Sequence, residues 1–205
     1  MTRQNNLLQL KIFLQASKPP IWREIIVPAN YTFFDLHVAI QAAFSWGDCH
    51  LHQFFTSSPY KSGRHFKIIA WPMEDAGTEI DERKARLSEY FTDMSNAMYY
   101  EYDFGDGWMH KIELKKILVN DKKLKYPQII GGARACPPDD CGGLWGYYHL
   151  IETVKNPKHK GHKDMMDWLG IKSPDELDPE YFNKDEINFK DPKKILKEYK
   201  KSFDL

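Results

Sequence analysis

The chain has 205 residues, of which 42% are hydrophobic and 14% aromatic. This composition can fill a sizeable core, so it excludes global disorder and favours one compact domain with a modest extension. The 29 basic and 29 acidic residues balance, and this balance does not support the broad positive field of a protein that holds nucleic acid mainly through its phosphates.

The start of the chain predicts neither a signal peptide nor a membrane anchor, because its apolar run is short and interrupted by polar residues. No run approaches the roughly 20 apolar residues that cross a bilayer, so we expect a cytoplasmic protein without a membrane partner. In that reducing compartment, the three cysteines Cys49, Cys136 and Cys141 are expected to be thiols or metal ligands rather than disulfides.

The first seventy residues predict two strands, a helix and two more strands. Apolar residues alternate from Leu8 to Leu14, and "IWREIIVP" follows the turn "SKPP", so the two segments predict a hairpin. Thr32 followed by Asp35 resembles a capping box in front of the apolar stripe of "TFFDLHVAIQAAFSW". "HLHQFFTS" and "HFKIIAW" then read as strands. This order predicts an α+β fold in which a helix packs on a mixed β-sheet of hairpins, as in β-grasp-like folds.

The second half of the chain predicts a hairpin, a long loop and then helices. "DERKARLSEYF" predicts a short helix or turn, and "YEYDFGDGWMHKIEL" predicts a hairpin. Residues 126–146 are rich in Gly, Pro and Cys and read as a loop. "LWGYYHLIETV" is helical in pattern, and "NPKHKGHKDMMDWLG" predicts a helix from an Asn156 cap to a Gly170 stop.

The last part of the chain is charged and helical in pattern. In "PKKILKEYKKSF", Ile195, Tyr199 and Phe203 recur every four residues and predict a stripe that docks on the rest of the protein. We therefore expect a single α+β domain over residues 1–155 and a helical C-terminal extension over residues 156–205 packed on it.

The hairpin around "DFGDG" contains the first candidate site residues. Asp103 and Asp106 suit a turn, since an aspartate accepts nearby backbone N–H groups, but two acids and two glycines exceed what a bend requires. On the return strand, Trp108 and His110 fall on the buried face by alternation. His110 is thus either a core histidine with a hydrogen-bonded partner or a metal ligand or general base.

Two further segments contain candidate metal ligands. His50 and His52 in "CHLHQF" share one face of a predicted strand, and such a pair holds a divalent ion when a neighbouring strand adds a third ligand. Cys136 and Cys141 have the loose spacing of a zinc-knuckle pair, but no second pair follows, so a closed zinc site would need His50, His52 or His110. The alternative for the histidines is a polar strand face, and the alternatives for the cysteines are two reduced thiols that pack a tight turn or a reversible disulfide.

The loop "ARACPPDDCGGLWGYYHL" adds polar and aromatic candidates. A guanidinium such as that of Arg134 binds carboxylates or phosphates, aspartates cap turns or bind ligands, and a tryptophan forms an apolar wall. The candidate residues in this loop are Arg134, Asp139, Asp140 and Trp145.

Four motifs together resemble one known family. They are "SKPPIWREIIVP", "LHVAIQAAFSWGDCHLHQF", "YEYDFGDGWMHKIEL" and "ACPPDDCGGLWGY", and their order and spacing over residues 7–170 are similar to the plasmid pRi ORF-three-like family. The resemblance implies an α+β fold and a widespread prokaryotic protein of unestablished biochemical function. Some relatives carry a transposon-resolvase label, which we do not transfer, because a serine resolvase needs an arginine cluster around its serine. Relatives more usually have a serine where this chain has Cys49, which argues against an essential role for that thiol.

The leading hypothesis is a binding or interaction module for an unknown protein or small molecule. In it, the "DFGDGW" turn, the "HLH" segment and the "CPPDDCGG" loop meet at one end of the sheet. The alternative is a metal-dependent hydrolase of the phosphoester class, in which His50, His52, His110 and an aspartate hold a divalent metal that activates water and a second aspartate is the base. A third hypothesis is nucleic-acid association through the lysine-rich C-terminal helix, which the overall charge does not support.

Overall fold

Strands dominate the first two thirds of the chain and helices the last third. The computed structural model describes residues 6–62, 66–72, 80–92, 94, 97–119 and 126–202. The strands are β1 (Asn6–Leu14), β2 (Trp22–Pro28), β3 (His52–Phe55), β4 (Ile68–Ala70), β5 (Ile80–Asp81), β6 (Ala97–Tyr102), β7 (Trp108–Val119) and β8 (Gln128–Ala133). The helices are α1 (Phe33–Phe44), α2 (Leu87–Tyr90), α3 (Gly143–Lys155), α4 (His162–Leu169) and α5 (Pro192–Ser202), with 3-10 turns at Pro174–Glu176 and Lys184–Glu186.

These strands form one mixed sheet in the order β5-β4-β3-β6-β7-β1-β2-β8. Neighbouring strands are antiparallel, except for the parallel pair β4 and β5. The sheet and its helices confirm the predicted α+β class. The β6–β7 hairpin lies between β1 and β3, so the two strand pairs that α1 joins in sequence are not adjacent in the sheet.

The main core lies between α1 and one face of the sheet. The alternating residues of β1 point into it, and they are at most 4% exposed at Leu8, Leu10, Ile12 and Leu14. The apolar stripe of α1 belongs to the same cluster. The periodicity of two in the strand and the stripe in the helix therefore place their apolar residues as predicted.

Helix α1 begins at a complete capping box. The Thr32 hydroxyl accepts a hydrogen bond from the backbone N–H of Asp35 at 3.2 Å, and the Asp35 carboxylate accepts one from the backbone N–H of Thr32 at 2.9 Å. The helix ends at Phe44 and is followed by the C-cap Ser45, whose backbone is left-handed with φ +59°. This end turns the chain toward His50 and so helps to position the candidate site.

Two predicted elements differ from the structure. The segment 126–146 is not entirely a loop, because Gln128–Ala133 pairs with β2 as the edge strand β8. Its sequence, "QIIGGA", is too short and glycine-rich to show a clear alternation. The fourth helix begins at His162 rather than near Pro157, and Asn156 is instead the C-cap of α3.

The C-terminal segment packs on the sheet and on α1. Phe182 lies on β8 so closely that a Cβ at Gly132 would approach its ring to 2.5 Å. Tyr199 of α5 contacts Phe34 of α1 at a ring distance of 5.5 Å. Phe203, the last residue of the predicted stripe, lies outside the described residues. The boundary between residues 155 and 156 stays a prediction. Over the described residues, each helix is too short or too polar to cross a bilayer.

Replacing Thr32 with alanine should destabilise the protein by about 1 kcal/mol, because the first turn of α1 loses the acceptor for the Asp35 N–H. Urea unfolding followed by circular dichroism measures the change. Thr32→Ser is the matched control, since it keeps the hydroxyl, and should stay close to the wild type. Equal losses for both variants would contradict a role for the capping hydroxyl.

Candidate functional site

Three distant segments meet at one end of the sheet. His50 lies two residues before β3, Asp103 and Asp106 lie in the turn between β6 and β7, and Asp139 and Asp140 lie in the loop between β8 and α3. The His50 Nε2 atom is 3.2 Å from Asp140 Oδ1 and 3.6 Å from Asp103 Oδ2. We refer to these five residues as the sheet-end site.

The turn between β6 and β7 is built on Asp103. This residue has a left-handed backbone with φ +54°, and its Oδ1 accepts hydrogen bonds from the N–H groups of Gly105 and Asp106 at 2.9 and 3.3 Å. This is the turn-forming role of aspartate. The other carboxylate oxygen, Oδ2, faces His50. Asp103 thus serves the turn with one oxygen and the site with the other.

Backbone groups fasten the cysteine-containing loop to this turn. The Asp106 carboxylate accepts a hydrogen bond from the N–H of Gly142 at 3.1 Å, and the Asp139 carboxylate accepts one from the N–H of Gly47 at 3.2 Å. At Gly143, where φ is +67°, a Cβ would approach the Asp106 carbonyl oxygen to 2.6 Å. This contact requires a glycine, so the "CGG" sequence permits the loop to approach the hairpin.

The aromatic and arginine candidates have other positions. Trp108 is 1% exposed and packs in the core, whereas Trp145 is 88% exposed on the first turn of α3. Arg134 pairs with Glu180, with Nε to Oε1 at 3.0 Å and Nη2 to Oε2 at 2.9 Å. Its guanidinium therefore binds the C-terminal segment rather than the sheet-end site.

His52 belongs to a separate, buried network. The prediction that it shares a strand face with His50 is wrong, because β3 begins at His52 and His50 lies before it. The His52 Nε2–H donates to the Glu82 carboxylate at 2.8 Å. Its ring stacks on that of His37 of α1, with centroids 3.4 Å apart and planes 4° apart.

His37 has a partner at each ring nitrogen. Its Nε2–H donates to Asp48 at 2.8 Å, and its Nδ1 is 2.8 Å from the hydroxyl of Tyr100. That hydroxyl accepts a hydrogen bond from Gln41 at 3.0 Å, so its own proton is directed to Nδ1. Burial and the neighbouring His52 both lower the pKa of His37. The chain of bonds therefore holds a neutral imidazole inside the protein.

His110 lies in the core, as the alternation in β7 predicts. It is fully buried and makes edge contacts with Phe44 and Trp46, at ring distances of 4.8 and 5.2 Å. Its Nδ1 is 3.4 Å from the Tyr100 carbonyl oxygen. Burial lowers the pKa of His110 to about 3. Its surroundings are those of a neutral core residue.

The two loop cysteines are also used by the scaffold. Cys136 accepts a hydrogen bond from the Arg23 guanidinium at 3.0 Å, and the Cys141 thiol is 3.8 Å from the Gly143 carbonyl oxygen. Burial raises the pKa of both thiols to about 12. Neither cysteine joins a group of metal ligands among the described residues, and Cys49 is a free, exposed thiol.

Sequence reasoning missed three residues that position these groups. Arg23, His37 and Glu82 are buried and hydrogen-bonded, and none was a candidate. The sequence contained a signal that could have identified Arg23 and His37. Arg23 occupies the buried face of β2 by alternation, and His37 lies four residues before Gln41 within an apolar helix. Glu82 follows a two-residue strand, and nothing in its surroundings distinguishes it from a surface acid.

A cleft of about 340 Å³ adjoins the sheet-end site between α3 and α4. Asp140 lies at one side of it, and the apolar side chains of Leu150, Met165 and Trp168 form much of its wall. The indole of Trp168 is 49% exposed. The volume is within the range of small-molecule sites. Asp140 therefore lies where the polar sheet-end site adjoins a cleft that could hold the apolar part of a ligand.

Acid should destabilise the protein through His110. Its pKa is about 3 in the folded state, against 6.5 for an ordinary histidine, so between these values only the unfolded chain binds the proton. Stability is therefore retained above pH 6.5 and lost as the pH falls, by at most about 1.4 kcal/mol per pH unit. Urea unfolding from pH 7 to pH 4 measures this slope.

The His110→Phe variant should show a shallower slope, since it removes one of the groups that take up a proton on unfolding. Ile112→Val, a buried change two residues along β7, controls for damage to the core and should keep the slope of the wild type. If His110→Phe and Ile112→Val have the same pH dependence, then His110 does not titrate as described.

Two proteins are similar to this chain over most of its length. The crystal structure of the protein of unknown function MM3350 from Methanosarcina mazei Go1 is 42% identical, covers 90% of this chain and 98% of its own, and superposes with a TM-score of 0.79. Uncharacterized protein y4hQ of Sinorhizobium fredii (strain NBRC 101917 / NGR234) is 30% identical over 169 residues, which are 80% of this chain and 81% of that protein.

A family model agrees with these likenesses. The model described as "Plasmid pRiA4b ORF-3-like protein" matches residues 6–186, which span the sheet, the sheet-end site and the cleft. The resemblance carried by the four sequence motifs is thereby confirmed. The chain belongs to the plasmid pRiA4b ORF-3-like protein family.

Proposed function

We propose that the protein is a binding module that recognises its ligand at the sheet-end site, and we infer that it does so in the cytoplasm. The observation that supports this is a pair of buried polar atoms that make no hydrogen bond where the three segments meet. Within the described residues, the His50 Nε2 and Asp139 Oδ1 atoms are buried without a hydrogen-bond partner. An unsatisfied buried polar group costs about 1–3 kcal/mol, and a ligand that bonds to it offsets this cost.

The position of these atoms distinguishes them from other unpaired groups. Glu82, Trp108 and His110 each have one unpaired polar atom too, but these side chains are sealed in the core at no more than 1% exposure. His50 and Asp139 are only partly buried. A ligand arriving from solvent therefore meets the exposed parts of these side chains without opening the core.

The cleft between α3 and α4 supplies the second half of the binding surface. Its wall of Leu150, Met165 and Trp168 starts at Asp140, whose carboxylate faces His50. Small-molecule sites combine apolar walls with a few convergent polar groups. The ligand would place its polar group against Asp140 and its apolar part along the indole of Trp168.

Asp140→Asn should abolish ligand binding while changing the stability by only about 0.5 kcal/mol, because its side chain is 70% exposed. Trp168→Ala should also abolish binding, with a larger loss of stability because about half of this residue is buried. Saturation-transfer difference NMR with a library of small carboxylates, phosphates and amines measures binding, and thermal unfolding measures stability. Asp167→Asn, an exposed acid on α4 outside the cleft lining, is the control and should bind like the wild type.

Two results would contradict the proposal. One is that Asp140→Asn lowers the melting temperature as strongly as Ile112→Ala, which empties part of the core, because Asp140 would then be scaffold. The other is that the fragments bind equally to the wild type, Asp140→Asn and Trp168→Ala.

A metal-dependent hydrolase of the phosphoester class is the second candidate. The observation that favours it is the meeting of one imidazole and two carboxylates, with the unpaired Oδ1 of Asp139 in the same loop. His50, Asp103 and Asp140 would hold the ion, which would supply an activated water as the nucleophile, and the Asp139 carboxylate would be the general base.

The hydrolase would cleave bis(p-nitrophenyl) phosphate with Mn²⁺, and Asp139→Asn should slow the cleavage by about a hundredfold or more, because it removes the base. Release of nitrophenolate measures the rate. Asp167→Asn again serves as the control. A wild-type rate no higher than that of Mn²⁺ alone would eliminate this candidate.

A further inference from the structure

The sheet-end site has the donor atoms of a metal centre. His50 Nε2, Asp103 Oδ2 and Asp140 Oδ1 come from three separate segments, and one ligand atom from each of these residues lies within 4.8 Å of the other two. An imidazole with two carboxylates is a donor set that suits divalent transition ions such as Mn²⁺, Fe²⁺ and Zn²⁺.

The two separations between His50 Nε2 and the carboxylate oxygens fit bonds to a common ion. If each metal bond is about 2.1 Å long, donor atoms 3.2 and 3.6 Å apart subtend about 100° and about 120° at the ion. Such angles occur in four- to six-coordinate sites. The three protein ligands therefore leave at least one position for water or for a ligand group, as catalytic and binding centres require.

Direct hydrogen bonding does not account for the arrangement. Although it is close to two carboxylates, His50 Nε2 is buried and makes no hydrogen bond within the described residues. Asp103, with a side chain only 10% exposed, uses Oδ1 for the turn and directs Oδ2 toward that nitrogen. Within the described residues, no lysine or arginine pairs with Asp103 or Asp140.

The other cluster of potential ligands does not compete for an ion. His37, Asp48 and His52 also offer donor atoms within 4.8 Å, but the two rings stack in nearly parallel planes 3.4 Å apart. A ring nitrogen binds a metal in the plane of its ring, so stacked rings do not converge on one ion. Their Nε2 atoms already donate to Asp48 and Glu82.

We propose that His50, Asp103 and Asp140 bind one divalent transition-metal ion. This proposal rests on the proposed function, because it concerns the same site. It identifies the metal ion as the polar anchor of the binding surface. It also gives a reason for the unpaired Nε2 of His50, which would become a metal ligand. The open coordination positions would receive an oxygen or nitrogen atom of the bound ligand.

Calorimetric titration of EDTA-treated full-length protein with MnCl₂ and with ZnCl₂ tests the proposal. We expect one ion per chain, and at least about a tenfold loss of affinity in His50→Gln and in Asp140→Asn, each of which removes a ligand. Asp167→Asn should match the wild type. Circular dichroism of each variant verifies that it is folded.

Electron paramagnetic resonance of the Mn²⁺-loaded protein is a second measurement, since bound Mn²⁺ loses the sharp signal of the hydrated ion. The proposal is overturned if the wild type binds neither ion stoichiometrically, or if folded His50→Gln and Asp140→Asn bind as tightly as the wild type. It is also overturned if a folded His37→Gln loses the ion while Asp140→Asn keeps it.

These titrations contain no organic ligand, so they separate the ion from the binding module. If the protein binds metal stoichiometrically but the fragments bind equally to the wild type and Asp140→Asn, the metal site is supported and the binding module is rejected. If fragment binding depends on Asp140 and the protein binds no metal, the binding module is supported and the metal site is rejected.

Discussion

The buried guanidinium of Arg23 is the interaction on which the rest of the structure depends. It is 3% exposed, and its donors are used by the carbonyl oxygens of Trp22, Ala43, Ala133 and Arg134 and by the thiol of Cys136. A buried charge is tolerated when its hydrogen bonds are satisfied. Here it joins β2 to the end of α1 and to the start of the loop that contains Asp139 and Asp140. The position of that loop determines whether the sheet-end site exists.

The histidines have two different physical roles. His37, His52 and His110 are buried; the first two are hydrogen-bonded to carboxylates and stacked on each other, and the third lies among aromatic rings. Their conformations are determined by packing. His50, by contrast, is partly exposed, and its Nε2 lies 3.2 Å from a carboxylate oxygen of Asp140 without a hydrogen bond to any described residue. An unpaired nitrogen does not by itself mark the site, because His110 has one too and is sealed in the core; the candidate site is distinguished by an unpaired nitrogen on the partly exposed His50.

Local patterns predicted the fold better than the site. The alternation in β1 and the Thr32 capping box depend on residues close in sequence, and the structure has both. The sequence did not predict the edge strand β8, because this segment is extended through its pairing with β2 and its own residues show no clear alternation. For the site, the pairing of His50 with Asp140 depends on loop closure through Gly142 and Gly143, and sequence spacing does not encode that contact.

The contact of Phe182 with β8 has a consequence for the behaviour of the protein in concentrated solution. β8 is an edge strand, and an open edge with unpaired backbone groups is a template for pairing with another chain. The ring of Phe182 covers Gly132 and also lies over the Arg23 guanidinium, whose Cζ is 4.5 Å from the ring centroid. Because a Cβ points out of the plane of a sheet, the ring of Phe182 covers one face of β8. Shortening the chain before Phe182 would expose this face beside an edge strand and would favour association between molecules.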